Sequence, residues 1–378
     1  MSANSILDAM KLRPVFALFL SFVAATPLLA LARQETPAAA PVAAVAAQDA
    51  SYRALVQPGP VPTELFEVAT IVDGDTIHVM RNGVKEKLRL LCVDSEEKLA
   101  GNASLSTSKP ETLFGQETAA WAQTFFPEHC TVDGAVKVGL VFPDGVERRD
   151  VYGRLLCHVV LPDGVDYQVL LVRLGKSPYF NKYGNSTTHH AAFVEAQRAA
   201  QRERLGIWNP ATNRARTPGE IEVVRPYERL LPWWDARAQA IDEARARHAR
   251  NPVLNVDAEL PEQLRLAAFA CEGGAIVQVF GAIERIFDED DGSLTLLMRT
   301  GAKDTAVRVR IAKKHVALFD TADLRRRADG EYVQNYLVFT GRLAPGARGG
   351  FEMWLEEPAD WRLGGPEPIV PEEVKAKG

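Results

Sequence analysis

Residues Val68–Glu97 read VATIVDGDTIHVMRNGVKEKLRLLCVDSEE, and the reading of this stretch decides the fold. Apolar and polar residues alternate through most of it, which is the period of a strand with one face in a core. Two breaks interrupt the alternation, Asp73-Gly74 and Asn82-Gly83, and such pairs supply the positive φ that tight reversals require. The segment therefore predicts a three-stranded meander: FEVATIVD from Phe66, then GDTIHVM, then KEKLRLLCV. Alternation does not explain the polar content. Asp73, Asp75, Asp94, Glu96 and Glu97 gather at one turn and one strand end, and Arg89 stands inside the most apolar run.

Downstream of the meander, a polar insert spans Lys98 to Glu111, and ETAAWAQTFF reads as an amphipathic helix. Two further strand runs follow, AVKVGLVF and, after Tyr152-Gly153, RLLCHVVL. Helical spacing recurs over Tyr167–Leu174 and His190–Leu205, the second closing at Gly206. Three strands, a helix, two strands and terminal helices is the order of a five-stranded Greek-key barrel of the OB type. Past Cys271 the order repeats: AIVQVFGAIERIF, SLTLLMRT and AVRVRIA, a polar helical stretch near Leu318 to Arg327, then NYLVFTGRL and GFEMWLEE. The expected class is α+β, an OB-fold barrel with helices followed by a second OB-like β-barrel. Between them, residues 211–264 carry the Trp233-Trp234 pair and DARAQAIDEARARHAR. Mixed charges with few apolar positions read as an interdomain helix with a solvated face.

The 378 residues, 47% of them apolar, suffice for two packed cores. A net charge of -5 excludes a globally basic coat, so any nucleic-acid contact must be local. Residues 1–32 have a basic start at Lys11 and Arg13, a short apolar run from Val15, and small residues at Ala30 and Ala32. That is the order of a signal peptide, which implies a secreted or periplasmic, cell-envelope protein. A retained membrane anchor is the alternative, opposed by the shortness of the run and by Pro27. Residues 33–50 form an Ala/Pro-rich spacer, 51–210 the first domain, 265–365 the second and 366–378 a tail. Cys92, Cys130, Cys157 and Cys271 lack C-x-x-C spacing, so a zinc site has no sequence support. Cys92 and Cys157 lie in strand-like runs that could be neighbours, as a disulfide or as buried thiols.

The polar cluster has a chemical reading. Calcium prefers hard oxygen ligands, and Asp75 and Asp94 on adjacent strands would present two. Glu97, just past a strand end, could hold a water and accept its proton. Arg89 among the carboxylates, with Arg154 at the start of a later strand, could clamp phosphate oxygens bidentately. Each element alone has a plainer account: Asp-Gly-Asp-Thr is usually an Asx turn, and a strand arginine usually pairs with a carboxylate. Their joint order carries the case.

With these residues in view, the segment from about Phe66 to Trp208 resembles the staphylococcal nuclease (thermonuclease) family. The resemblance rests on VDGDTIHV, LRLLCVDSEE, GQETAAWA, DVYGRLLCHVV, LVRLGKSPYF and EAQRAAQRERLGIW, in family order. It implies Ca2+ bound by Asp75, Asp94 and the carbonyl of Ser95, with Glu97 as general base and Arg89 and Arg154 as transition-state clamps. It also implies cleavage of DNA and RNA to 3′-phosphate ends. Substrate would be held by Tyr152 and Tyr179, with Lys85 and Lys87 as further phosphate contacts. Two departures stand out. The family's usual Asp-Thr-Pro-Glu is here Asp94-Ser95-Glu96-Glu97, which puts an extra carboxylate beside the base, and the position two after Tyr179 is Asn181.

The expected function is a calcium-dependent secreted endonuclease acting on DNA and/or RNA. The rival is a non-catalytic binding module for nucleic acid or protein. No stable protein partner is implied, and a membrane only if the N-terminus is uncleaved. His189 and His190 point in different directions on a helix and lack an acidic partner nearby, so they read as surface residues. His78 and His158 read as barrel-wall positions. In the second domain, Arg308, Arg310, Lys313 and Lys314 form a possible basic edge for single strands. Its aromatics Phe280, Tyr336, Phe339, Phe351 and Trp354 read mainly as core.

Overall fold

The computed structural model describes residues 52–364 apart from 101–108, 151, 215–221, 299, 301–302 and 329–335. The signal peptide, the spacer, most of the insert and the C-terminal tail expected from the sequence lie outside the described residues. Among the described residues, no helix is long and apolar enough to cross a membrane.

The first meander forms as β1 (Phe66–Ile71), β2 (Ile77–Arg81) and β3 (Val84–Leu90), but the β1–β2 reversal is a longer turn in which neither Asp73 nor Gly74 takes the expected positive φ. Asn82 and Gly83 both take left-handed φ, at 51° and 75°, which closes β2 onto β3 in a two-residue hairpin pairing Arg81 with Val84. Helix α1 (Leu113–His129) starts at Thr112, whose hydroxyl accepts the Gly115 N–H as an N-cap. Strands β4 (Ala135–Val141) and β5 (Leu155–Val160) complete the set. β4 pairs antiparallel with β1, β5 pairs parallel with β3, and β4 meets β5 antiparallel, so the five strands close into a barrel. Ile77, Val79, Leu88, Leu90, Leu155, Cys157 and Val159 alternate inward and meet Phe125, Phe126 and Phe193 from the helices. Helices α2 (Tyr167–Arg173) and α3 (His190–Arg202) pack against this barrel.

A second sheet repeats the order with β6 (Val277–Asp288), β7 (Leu294–Met298), β8 (Val307–Ile311), β9 (Tyr336–Gly341) and β10 (Phe351–Leu355). β8 pairs parallel with β10 and β6 antiparallel with β9, giving a curled half-barrel over its own core of Val279, Leu296, Val309, Leu337 and Met353. The class is mixed α+β, as the pattern of elements predicts.

The helix between the two sheets, α4 (Tyr227–Arg250), is charged along its exposed face and buried along the other. Its first half packs Tyr227, Leu230, Trp233 and Trp234 around Phe180 of the first domain. Its second half sets Ile241 and Ala244 against Phe280, Tyr336 and Val338 of the second sheet. Composition averages the two faces and so hides the apolar one.

All four cysteines are free thiols, and burial pushes Cys130 and Cys157 up to about 12.

Candidate active site

Parity along β3 sets the site. Leu88 and Leu90 face the core, so Lys85, Lys87 and Arg89 share the outer face. The register that pairs Arg89 with Leu156 places Arg154 on the same face, one strand over and level with Lys87. β3 ends in a sharp turn at Cys92, a non-glycine residue at φ 64°, and this turn brings the next carboxylates back beside the barrel.

Asp75 and Asp94 meet at Arg89, which reaches the Asp75 Oδ2 at 3.4 Å and the Asp94 Oδ1 at 3.2 Å. The Asp75 Oδ2 also accepts the Ser95 N–H at 2.8 Å, and Ser177 Oγ accepts the Asp94 N–H at 2.9 Å. The Asp75 carboxylate is therefore fixed by backbone as well as by charge, while at Asp94 it is the main chain that Ser177 anchors. Asp73 is buried beside them, and burial and then the charge of Asp75 push its carboxyl up to about 7.

Two cations that the sequence reading missed enter the same cluster. The Lys109 ammonium lies 3.1 Å from the Asp94 Oδ1 and 2.6 Å from the Glu97 Oε1. Arg225, buried at the approach to α4, pairs with the Asp94 Oδ2 and donates to the Asp94 carbonyl at 3.1 Å. Burial alone would raise the Asp94 carboxyl; Arg225, Lys109 and Arg89 outweigh it and hold it far below the usual carboxylate range. Arg225 lies 131 residues from Asp94, so no local spacing could reveal the pair.

Glu97 is half-exposed and ends the acidic run at the mouth of the cluster. Its main chain is clamped by α1, since the Glu97 carbonyl accepts the Thr112 N–H at 3.0 Å. A side chain on Gly115 would collide with that same carbonyl, which explains the glycine of GQETAAWA. Glu96 turns the other way. Buried, it accepts hydrogen bonds from Thr112 and Asn213, both at 2.6 Å, and from the Tyr227 hydroxyl at 3.2 Å. The carboxylate that the sequence places beside Glu97 is thus a tie between α1, the post-barrel segment and α4.

Arg154 is held by Asp150 at 2.7 Å and packs over Tyr152, whose ring is 81% exposed. Lys87 is exposed beside His78, while the Lys85 ammonium donates to Thr70 Oγ1 at 2.7 Å. Tyr179 does not line this face. It is 3% exposed and stacked on Phe193 at 4.8 Å, so its ring offers no free surface to a base. Asn181 is buried too, donating to Asp235 of α4 at 2.7 Å. Asparagine fits here because α4 covers the position.

The donor chemistry suits a hard divalent cation, since Asp75, Asp94 and Glu97 are all carboxylates, although here they are joined through Arg89 and Lys109 and do not close on one point. The Lys109 ammonium, bridging Asp94 to Glu97, marks where positive charge is wanted.

Residues 87–210 match a family model described as staphylococcal nuclease homologue. Among curated relatives, endonuclease YncB of Bacillus subtilis (strain 168) is 31% identical over 149 residues, 38% of this chain and 62% of the relative. An uncharacterized endonuclease of Escherichia coli is 26% identical over 144 residues, 38% of this chain and 76% of the relative. The SPbeta prophage-derived endonuclease YokF of Bacillus subtilis (strain 168) is 30% identical over 141 residues, 36% of this chain and 42% of the relative. The chain thus spans less than two thirds of the length of the first of these. The matched family segment stops at residue 210, before α4 and the second sheet.

Proposed function

Taking residues 87–210 as a staphylococcal nuclease homologue domain, we propose that the protein is an exported, calcium-dependent endonuclease hydrolysing phosphodiester bonds of DNA and/or RNA to 3′-phosphate ends. The observation that carries this is the meeting of Asp75 and Asp94 on one arginine, at 3.4 and 3.2 Å, with Glu97 joined to the same cluster through Lys109.

Asp75 and Asp94, with the Ser95 carbonyl as a third ligand, would hold the cation, which when bound would supply Lewis acidity toward the phosphate and toward water. Glu97 accepts the proton of the water that attacks phosphorus, and its partial exposure leaves it a path to return that proton to solvent. Arg89 is already ordered by two carboxylates before substrate arrives, so its guanidinium meets the developing charge without reorganising. Arg154, held by Asp150 on the same outer face, approaches the phosphate from the neighbouring strand. The 5′ oxygen leaves and takes a proton from solvent. Lys85, Lys87 and Tyr152 extend the contact surface along the backbone of the substrate.

One observation favours the rival, a non-catalytic module: Asp94 is already neutralised by three cations. The two readings part in one experiment. The full chain is incubated with plasmid and with single-stranded DNA, in calcium or in excess chelator. Cleavage with calcium and none with chelator supports the nuclease; no cleavage by wild type and by Lys109→Ala alike supports the module. Export is checked by N-terminal sequencing of the mature chain, expected to begin near Arg33.

A further inference from the structure

A second group of donor atoms converges away from the carboxylate cluster. His158 points from β5, Asp166 caps α2, and His189 immediately precedes α3. The Asp166 Oδ2 lies 2.9 Å from the His158 Nδ1 and 3.6 Å from the His189 Nε2, and the ligand atoms of all three residues fall within 4.8 Å of one another. No other group of this kind occurs among the described residues.

The distances have a chemical meaning. A tetrahedral zinc-class ion with bonds of about 2.0–2.1 Å has donor-to-donor edges of roughly 3.3 Å, and the two measured separations bracket that edge. Capping α2 does not require this arrangement, because the other oxygen, Asp166 Oδ1, accepts the Val169 N–H at 2.9 Å and does the capping alone. Oδ2 is left to the two imidazoles. The His158 side chain is 1% exposed, Asp166 10% and His189 37%, so two donors are desolvated while the third opens to solvent. Two imidazoles and one carboxylate suit zinc-class ions rather than calcium.

We propose that His158, Asp166 and His189 form a second cation site, separate from the carboxylate cluster, which takes one zinc-class divalent ion and leaves its fourth position to solvent on the His189 side. The proton now shared between His158 and Asp166 passes to solvent when the ion binds. The site braces three elements: β5, the start of α2, and the segment leading into α3. Tyr167, next to Asp166, donates to the Gly74 carbonyl at 3.0 Å, and His190, next to His189, bonds the Tyr179 hydroxyl at 3.0 Å. An ion here would therefore stiffen the supports of the Asp73–Asp75 turn without touching substrate.

The test uses the full chain, cleared of metal with chelator and titrated with zinc chloride, followed by calorimetry and by thermal unfolding. One zinc per chain and a raised Tm are expected, with calcium chloride producing neither effect through this site. His189→Ala, which leaves the His158–Asp166 bond intact, should weaken zinc binding at least tenfold, while Asp75→Asn should leave it unchanged. Cobalt substituted for zinc should give the intense visible bands of a four-coordinate site in wild type and lose them in His189→Ala. Absence of bound zinc, equal affinity in His189→Ala, or loss of binding in Asp75→Asn would each overturn the proposal.

Discussion

In the first barrel the fourth and fifth strands hydrogen-bond, Gly139 opposite Val160, and the ring closes. In the second sheet the equivalent strands β9 and β10 share no ladder among the described residues, although the parallel pairing of third and fifth strands is the same in both. Each carries an arginine on the outer face of its third strand and an acidic loop between its first and second. What differs is the end of the third strand. The first runs on into Asp94, Ser95, Glu96 and Glu97; the second into Lys313 and Lys314. Arg310 accordingly meets one carboxylate, Glu352 at 3.6 Å, and lies over Trp354, whereas Arg89 is wedged between two aspartates. In the acidic loop, Asp288 pairs outward with Arg325 and Asp291 accepts the Ser293 N–H. A shared strand order therefore supplies a place where strand ends converge, and the residues at those ends decide whether chemistry follows.

The contrast breaks most sharply at Glu97. Glu97→Gln keeps shape and loses the proton acceptor, so kcat should fall by roughly 10²–10⁴-fold with calcium binding retained; a rate near wild type would remove Glu97 as the base. Arg89→Ala and Arg154→Ala should each lower kcat by roughly 10²–10³-fold, the scale for one preorganised donor. A rise in KM alone would make them tethers. Arg225→Ala acts on the scaffold: it strips one partner from a buried pair and should cost roughly 3 kcal/mol of stability, read as a lower denaturation midpoint. The effect is at the low end because Asp94 keeps Arg89 and Lys109.

Two gentler changes sharpen the comparison. Lys109→Ala removes the internal cation from between Asp94 and Glu97, so the calcium concentration for half-maximal rate should drop by roughly tenfold, about 1.4 kcal/mol. An unchanged or higher requirement would mean that Lys109 is no competitor. In the second sheet, Arg310→Ala and Trp354→Ala should leave kcat on short oligonucleotides within about twofold, since among the described residues Arg310 meets one carboxylate, Glu352, rather than a pair of aspartates. A loss as large as that of Arg89→Ala would place it in the reaction.

Much of this was legible from the chain because strands and turns are local. Alternation of period two placed Leu88 and Leu90 inward and Arg89 outward, and Asn82-Gly83 fixed the hairpin register through its left-handed backbone. From there the joint presence of Asp75, Arg89 and Asp94 on one face followed without coordinates. Only the tertiary structure decided which charges meet. Arg225 reaches Asp94 across 131 residues, Glu96 turns away from Glu97 to join α1 and α4, Tyr179 is covered, and Asp166 comes to His189 from another element. The physical reason is the same in each case. Periodicity states which side of its own strand or helix a residue occupies, but the energy of a buried charge or ring is set by what the rest of the fold brings against it, and that depends on packing between segments distant in sequence.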